Sequence, residues 1–278
     1  VTFLVTGARG QVGRAVARAL LDEGRPVRVA SSGPQSALPG LTAQTVPFDQ
    51  RDPAVLAAAL DGVRGVFLYA RPEGIDTFTR VARDAGVEHV VLLSSLAVLA
   101  QGAQDSTIAR SHRAVEEALT SSGLATTLVR PGAFASNTLQ WSEAIRATRR
   151  VDLAYPDAHT EPVHERDMAE VSVRALLDPA HRGTVPHLTG PESLTQARQV
   201  ELIAEAIGSP VTVREVSPEE YRERLAAHLP GPVADAVLRG QAARVGHPGP
   251  TYDGVREVLG RPAADFAQWA LDHADDFR

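Results

Sequence analysis

The run VTFLVTGARGQVG, residues 1–13, restricts what this chain can fold into more than any other stretch. A β-branched segment passes without a break into a glycine-spaced turn and then into the helical pattern VGRAVARALLDEG. Gly7 permits the tight turn, Gly10 lets the backbone approach a pyrophosphate, and Gly13 allows close packing of helix on strand. The first helical turn, with Gln11 and Val12, offers N–H groups and the positive end of a dipole to phosphates. Glycine triplets also mark ordinary turns, but one set between a strand and a helix predicts a dinucleotide site.

The alternation started there continues. PVRVA (26–30), AQTV (43–46), GVFLYA (65–70), HVVLLSS (89–95) and ATTLV (125–129) are short apolar runs, separated by helical patterns at 53–60, 76–86 and 107–119. Strands apolar on both faces belong to a parallel sheet covered by helices. The fold class predicted is α/β, a doubly wound parallel Rossmann sheet over residues 1–150. Beyond residue 150, prolines at 156, 162, 186, 191, 210 and 218 punctuate shorter elements. We expect residues 151–278 to form a smaller, partly interleaved substrate lobe. Within it, the stretch 230–250, bracketed by Pro and Gly, reads either as a lid over a cleft or as a surface connection.

Composition narrows the partners. The formal charge is −6, and no basic block supplies the field that nucleic acid or an anionic membrane requires. A small molecule is the expected partner. No run of apolar residues is long enough to span a bilayer and no signal-peptide pattern is present, so a cytoplasmic location is expected. There is no cysteine, which excludes thiolate nucleophiles, disulfides and cysteine-ligated metals. All 28 basic side chains are arginine, which fits a GC-rich genome and leaves no lysine for Schiff-base or proton-transfer chemistry. The histidine spacings suggest no metal site.

The end of the second strand selects the form of the cofactor. An acidic side chain there accepts hydrogen bonds from the ribose hydroxyls of NAD. VRVASSG (27–33) has no carboxylate, whereas Arg9 in the glycine loop, Arg28 in the strand, and Ser31 and Ser32 can meet a phosphate. NADP(H) is therefore the expected cofactor, with Arg28 alternatively an exposed strand-end arginine. Asp49, in PFDQRD after the third strand, either accepts from the adenine amino group or caps the next helix. Tyr69 and Ala70 close the fourth strand on the cofactor side, where Tyr69 either reaches the nicotinamide ribose or substrate or serves as packing.

TGARGQVGRAV, FDQRD, VVLLSS, SHRAVEEALTSSGLATTLVRPGAFASN, HERDMAEV and HLTGPESLT together resemble the atypical short-chain dehydrogenase/reductases, in particular their NmrA-like group. The likeness covers nearly the whole chain. It implies NAD(P) held by the glycine motif, an NADP preference associated with Arg9, and Pro131 and Gly132 near the nicotinamide. It also implies a catalytic serine ending the fifth strand, which we place at Ser95 with Ser94 facing the other way, or one residue later at Leu96. Members that reduce ketones carry Tyr-x-x-x-Lys on the following helix. Here that motif is Ile108-x-x-x-His112.

Hydride transfer to a carbonyl leaves negative charge on oxygen, and the family's proton donor is a phenol of pKa about 10. Ile108 cannot replace it. Ser95 can hydrogen-bond the oxyanion while His112, of ordinary pKa about 6.5, orients it or relays a proton. Alternatively the substrate carries the charge itself, as a quinone or an extended enone does. Both routes point to an aromatic or quinonoid substrate, and the group includes quinone reductases and ketoreductases that tailor polyketide antibiotics. The competing expectation is a non-catalytic NADP-binding redox sensor. Read without the resemblance, His112 is a core histidine in line with Ile108, Val115 and Leu119.

Overall fold

The computed structural model describes every residue except 32, 34–39, 101–103, 105 and 228. It divides into two compact units, one of residues 1–131, 165–187 and 254–261, the other of 132–164, 188–253 and 262–278.

In the first unit the alternating apolar runs become strands. They are β1 (Thr2–Val5), β2 (Val27–Ser31), β3 (Gln44–Pro47), β4 (Val63–Tyr69), β5 (His89–Leu93) and β6 (Thr126–Pro131). They pair in parallel in the order β3-β2-β1-β4-β5-β6, and the short strand β9 (His187–Leu188) follows beside β6 as the seventh. Register is set by residues that have no solvent-facing side. Phe67 pairs with Val91 and Leu92 with Leu128, and every residue of β5 is buried. Both faces must therefore be covered.

Helices supply the cover. On one face, α2 (Pro53–Leu60), α3 (Ile75–Asp84) and α4 (Thr107–Ser121) pack Leu56, Phe78, Val115 and Leu119 against Leu4, Val66, Leu68 and Leu92. On the other, α1 (Gln11–Asp22) packs with α6 (Glu165–Leu177), which in turn meets α10 (Gly254–Leu259). Local signals explain where these helices begin. Asp52 accepts from Ala54 N at 2.9 Å and Val55 N at 3.2 Å while Pro53 fills the first helical position of α2. Ser106 caps α4 by accepting from Ala109 N. The cap of α2 is thus Asp52, and Asp49 does not take that alternative role.

The second unit holds two small ladders. β7 (Arg150–Leu153) runs parallel to β11 (Thr212–Glu215), and β8 (His159–Thr160) antiparallel to β10 (Leu194–Thr195). Its core gathers Trp141, Ile145, Leu153, Val200, Ile203, Phe266, Trp269 and Phe277. The stretch 230–250 contains a helix, α9 (Gly231–Ala242), whose Ala234 and Leu238 are buried with Tyr221 and Leu225 of α8 (Pro218–Ala226). Among the described residues no helix is long and apolar enough to cross a membrane.

A buried histidine makes the first unit sensitive to acid. His89 opens β5 at 2% exposure, and its Nε2 lies 2.9 Å from Thr127 Oγ1, whose hydroxyl donates to His181 O at 2.6 Å. Thr127 must therefore accept from His89, which places a proton on Nε2. Burial, with the nearby Arg182 and His181, pushes the His89 pKa from 6.5 down to about 4. Between those values the unfolded chain binds the proton and the folded chain does not, so stability falls as pH drops through this window. We expect the melting temperature to decline from pH 6.5 to pH 4, and His89→Gln to flatten that decline. Melting curves across the range check this.

Candidate active site

The glycine turn takes its shape from two contacts. Gly7 sits at φ +68°, a conformation that favours glycine, and its carbonyl accepts from Gly10 N at 2.9 Å. A Cβ on Gly13 would stand 2.5 Å from that same carbonyl oxygen, so only glycine lets α1 seat against the turn. Gly10 caps α1 and has room for a Cβ within the protein, 3.4 Å from Gly7 O. Gly10 lines a cavity of about 670 Å³ together with Gly7 and Arg9. The residues fit a dinucleotide: a glycine edge, a helix N-terminus, and volume in front of both.

The cavity lies at the C-terminal ends of β1, β2 and β4, where ligands of open α/β sheets bind. Thr6 Oγ1 accepts from Tyr69 N at 2.7 Å, which ties the end of β1 to the end of β4. Tyr69 is 48% exposed there and lines the cavity. Arg9 Nη2 reaches Ser31 Oγ at 3.5 Å across the end of β2. Arg9 and Ser31 are thus brought together, as an adenosine 2′-phosphate would require. Asp49 also lines the cavity, but its carboxylate accepts from Arg51 N at 2.9 Å and from Arg51 Nε and Nη2 at 3.0 Å each. These hydrogen bonds hold the Asp49 pKa below its ordinary value.

Several expected site residues stand elsewhere. Arg28 is not brought to the cavity. It sits near the start of β2 and donates to Ala59 O at 3.1 Å and Asp61 O at 2.5 Å at the end of α2, and to Gln44 Oε1 at 3.3 Å. A guanidinium there satisfies the last carbonyls of a helix, a role cations commonly take. Ala70 packs against the apolar core and does not line the cavity. Val12 is buried at 5% exposure and Gln11 opens α1 exposed, and neither lines the cavity. Ser32 lies outside the described residues. Pro131 ends β6 and Gly132 begins the second unit. Arg71 and Glu73, which line the cavity after β4, were not expected; their place just beyond a strand end beside Tyr69 was the available signal.

The end of β5 and the helix α4 carry the remaining candidates. Ser95 Oγ accepts from Ala97 N at 3.1 Å and caps the 3₁₀ turn of residues 96–99. Ser94 is buried and donates to Glu116 Oε1 at 2.5 Å. His112 and Ile108 are both half-buried on α4. Ile108 is therefore not part of the buried stripe, whose members are Ala109, Val115, Glu116 and Leu119. His112 Nδ1 is buried without a hydrogen-bond partner among the described residues. Burial holds the His112 pKa below its ordinary value, with the Glu116 carboxylate acting in the opposite sense. Among the described residues no hydrogen bond joins Ser95 to His112.

Residues 7–179 match the model of a family described as NAD(P)H-binding. The chain belongs to that family. It is 38% identical over 280 residues to the (4-alkanoyl-5-oxo-2,5-dihydrofuran-3-yl)methyl phosphate reductase of Streptomyces griseus, covering 99% of each chain. It is 30% identical over 286 residues to the NAD(P)H azoreductase of Xenophilus azovorans, again over 99% of each. Its fold matches that of the NADPH-dependent quinone oxidoreductase of Escherichia coli in complex with NADPH, with a TM-score of 0.81 at 22% identity, over 98% of this chain and 99% of that one.

The geometry separates the two arginines. Loss of a charge-assisted contact costs about 1.5–3 kcal/mol, so Arg9→Ala should weaken NADPH binding by about tenfold to a hundredfold and leave NADH binding nearly unchanged. Arg28→Ala should leave the affinity for both cofactors unchanged and lower the melting temperature. Calorimetric titration with each nucleotide, beside a melting curve, reads both outcomes.

Proposed function

We propose that this protein is an NADPH-dependent reductase that passes hydride to an electron-poor, conjugated acceptor such as a quinone or the carbonyl of an aromatic polyketide. The observation that carries this reading is the face of α4, where Ile108 stands one turn before a histidine that burial disfavours in its charged form. No phenol is placed there to protonate an isolated alkoxide. An acceptor whose product anion is delocalised needs no such donor, because water protonates a phenolate or an enolate readily.

The relatives support this class. The compound named for the Streptomyces griseus reductase carries a ring alkene conjugated with two carbonyls, and azo compounds and quinones are likewise conjugated acceptors. We assign the 2′-phosphate of the cofactor to Arg9 and Ser31, its pyrophosphate to the loop of Gly7, Gly10 and Gly13 with the N–H groups of Gln11 and Val12, and its adenine to the surroundings of Asp49. The cofactor, when bound, supplies the hydride. Ser95 keeps a hydroxyl hydrogen to offer a developing oxyanion, since among the described residues its oxygen only accepts from Ala97 N. His112 orients the acceptor or hands on a proton from water. Pro131 and Gly132 border the nicotinamide in this reading.

A panel of acceptors tests the proposal. NADPH oxidation should be rapid with quinones and conjugated enones and slower by at least about a hundredfold with unactivated aliphatic ketones, a gap of roughly 3 kcal/mol in the barrier. Stoichiometric NADPH binding without turnover on any member would instead mark a redox sensor.

A further inference from the structure

The charged group closest in sequence to His112 on the same helical face is Glu116, one turn along. It is a carboxylate at 6% exposure in the middle of the α4 seam, where an apolar residue would pack without cost. Its surroundings are built to keep it. Arg130 of β6 donates to Oε1 from Nε at 2.9 Å and to Oε2 from Nη2 at 2.6 Å. Ser94 at the end of β5 donates to Oε1 at 2.5 Å. One carboxylate thus binds the helix to the ends of two adjacent strands, and one of those ends runs directly into Ser95.

We propose that Glu116 is a positioning residue of the active site: through Ser94 it fixes the strand end that presents Ser95, and through the shared face of α4 it holds a negative charge beside His112. This rests on the reductase reading above for the roles of Ser95 and His112. The arrangement accounts for two facts together: a buried charge at a seam position, and a short serine contact that leaves Ser94 no role in an oxyanion site. A buried ion pair is weak evidence for stability, because desolvation offsets much of the Coulomb gain. Its position, joining the candidate residues, favours a positioning role.

The electrostatic surroundings are defined. Arg130 faces Glu116 from β6, and His187 in β9 feels Arg130, Glu257 of α10 and Glu116. Arg113 and Glu117 of α4 line the crevice of about 320 Å³ above Glu116, and Arg113 is turned to Val98 O at 2.6 Å. His112 is acted on by burial, which disfavours its proton, and by Glu116, which favours it. Removing the Glu116 charge while keeping its shape should therefore lower the pH at which His112 titrates.

The experiment is an NMR titration of histidine-labelled full-length protein, with the His112 signal assigned by its loss in His112→Gln. In Glu116→Gln the His112 midpoint should fall by about one pH unit, and kcat should fall by about tenfold or more while NADPH affinity stays within about twofold. An unchanged His112 midpoint with unchanged kcat overturns the proposal. In Ser94→Ala, which keeps the charge, kcat should fall without a shift of the midpoint. Should Glu116→Gln fail to fold, Ser94→Ala decides alone: retained kcat overturns the positioning role. The titration needs no substrate, so it reads the Glu116–His112 coupling even if no acceptor is turned over.

Discussion

The missing side chain of Gly13 governs the first unit. Because nothing projects from that position, the first turn of α1 seats against the carbonyl of Gly7, and the N-terminus of the helix opens on the cavity at the strand ends. A Cβ placed there would meet backbone, which cannot rotate away as a side-chain tip can. The turn in turn places Arg9 over Ser31 and sets Gly7 against Tyr69, whose Cβ a side chain on Gly7 would approach to 3.1 Å. The cofactor edge is therefore a consequence of helix seating, and the buried β1–β4 pairing behind it holds the seat in register.

The opposite end of the chemistry depends on charge. The face of α4 that carries Ile108 and His112 also carries Glu116, which Arg130 and Ser94 hold in place by hydrogen bonds. Where the resembling ketone reductases carry a phenol this chain has Ile108, and one turn on, at their lysine position, it has a histidine for which burial and a carboxylate compete. In the proposed reading such a site suits an acceptor that stabilises its own anion. It suits an isolated ketone poorly, because the barrier then includes an unassisted alkoxide.

Much of the fold could be read from periodicity. The strand runs at 43–46, 65–70 and 89–95 and the helix at 53–60 reappear within a residue or two, because fully apolar strands admit no other environment. The glycine edge was likewise legible, since it is local to one strand–turn–helix unit, and Arg9 and Ser31 lie at the two ends of the β1–α1–β2 unit built on it. Arg28 was not, because a strand position fixes which face a side chain takes but not which end it serves, and the carbonyls of Ala59 and Asp61 that hold it are 31 and 33 residues away. Asp49 lost its capping alternative to Asp52, three residues on, for want of any local signal beyond Pro53. Arg71 and Glu73 became site residues only once β4 was seen to end at the cavity. Nothing in EEAL distinguishes Glu116 from Glu117, and only the juxtaposition of β5 and β6 shows it buried.

The central claim is that the acceptor, not a protein acid, carries the charge formed on hydride transfer. Single-turnover oxidation of bound 4-deuterated NADPH by a quinone, compared in light and heavy water, tests it most directly. The account predicts a primary isotope effect from the deuterated cofactor and no solvent isotope effect on the same step, so that protonation follows the transfer. A substantial solvent isotope effect expressed together with the primary one would place a proton donor in the transition state and contradict it.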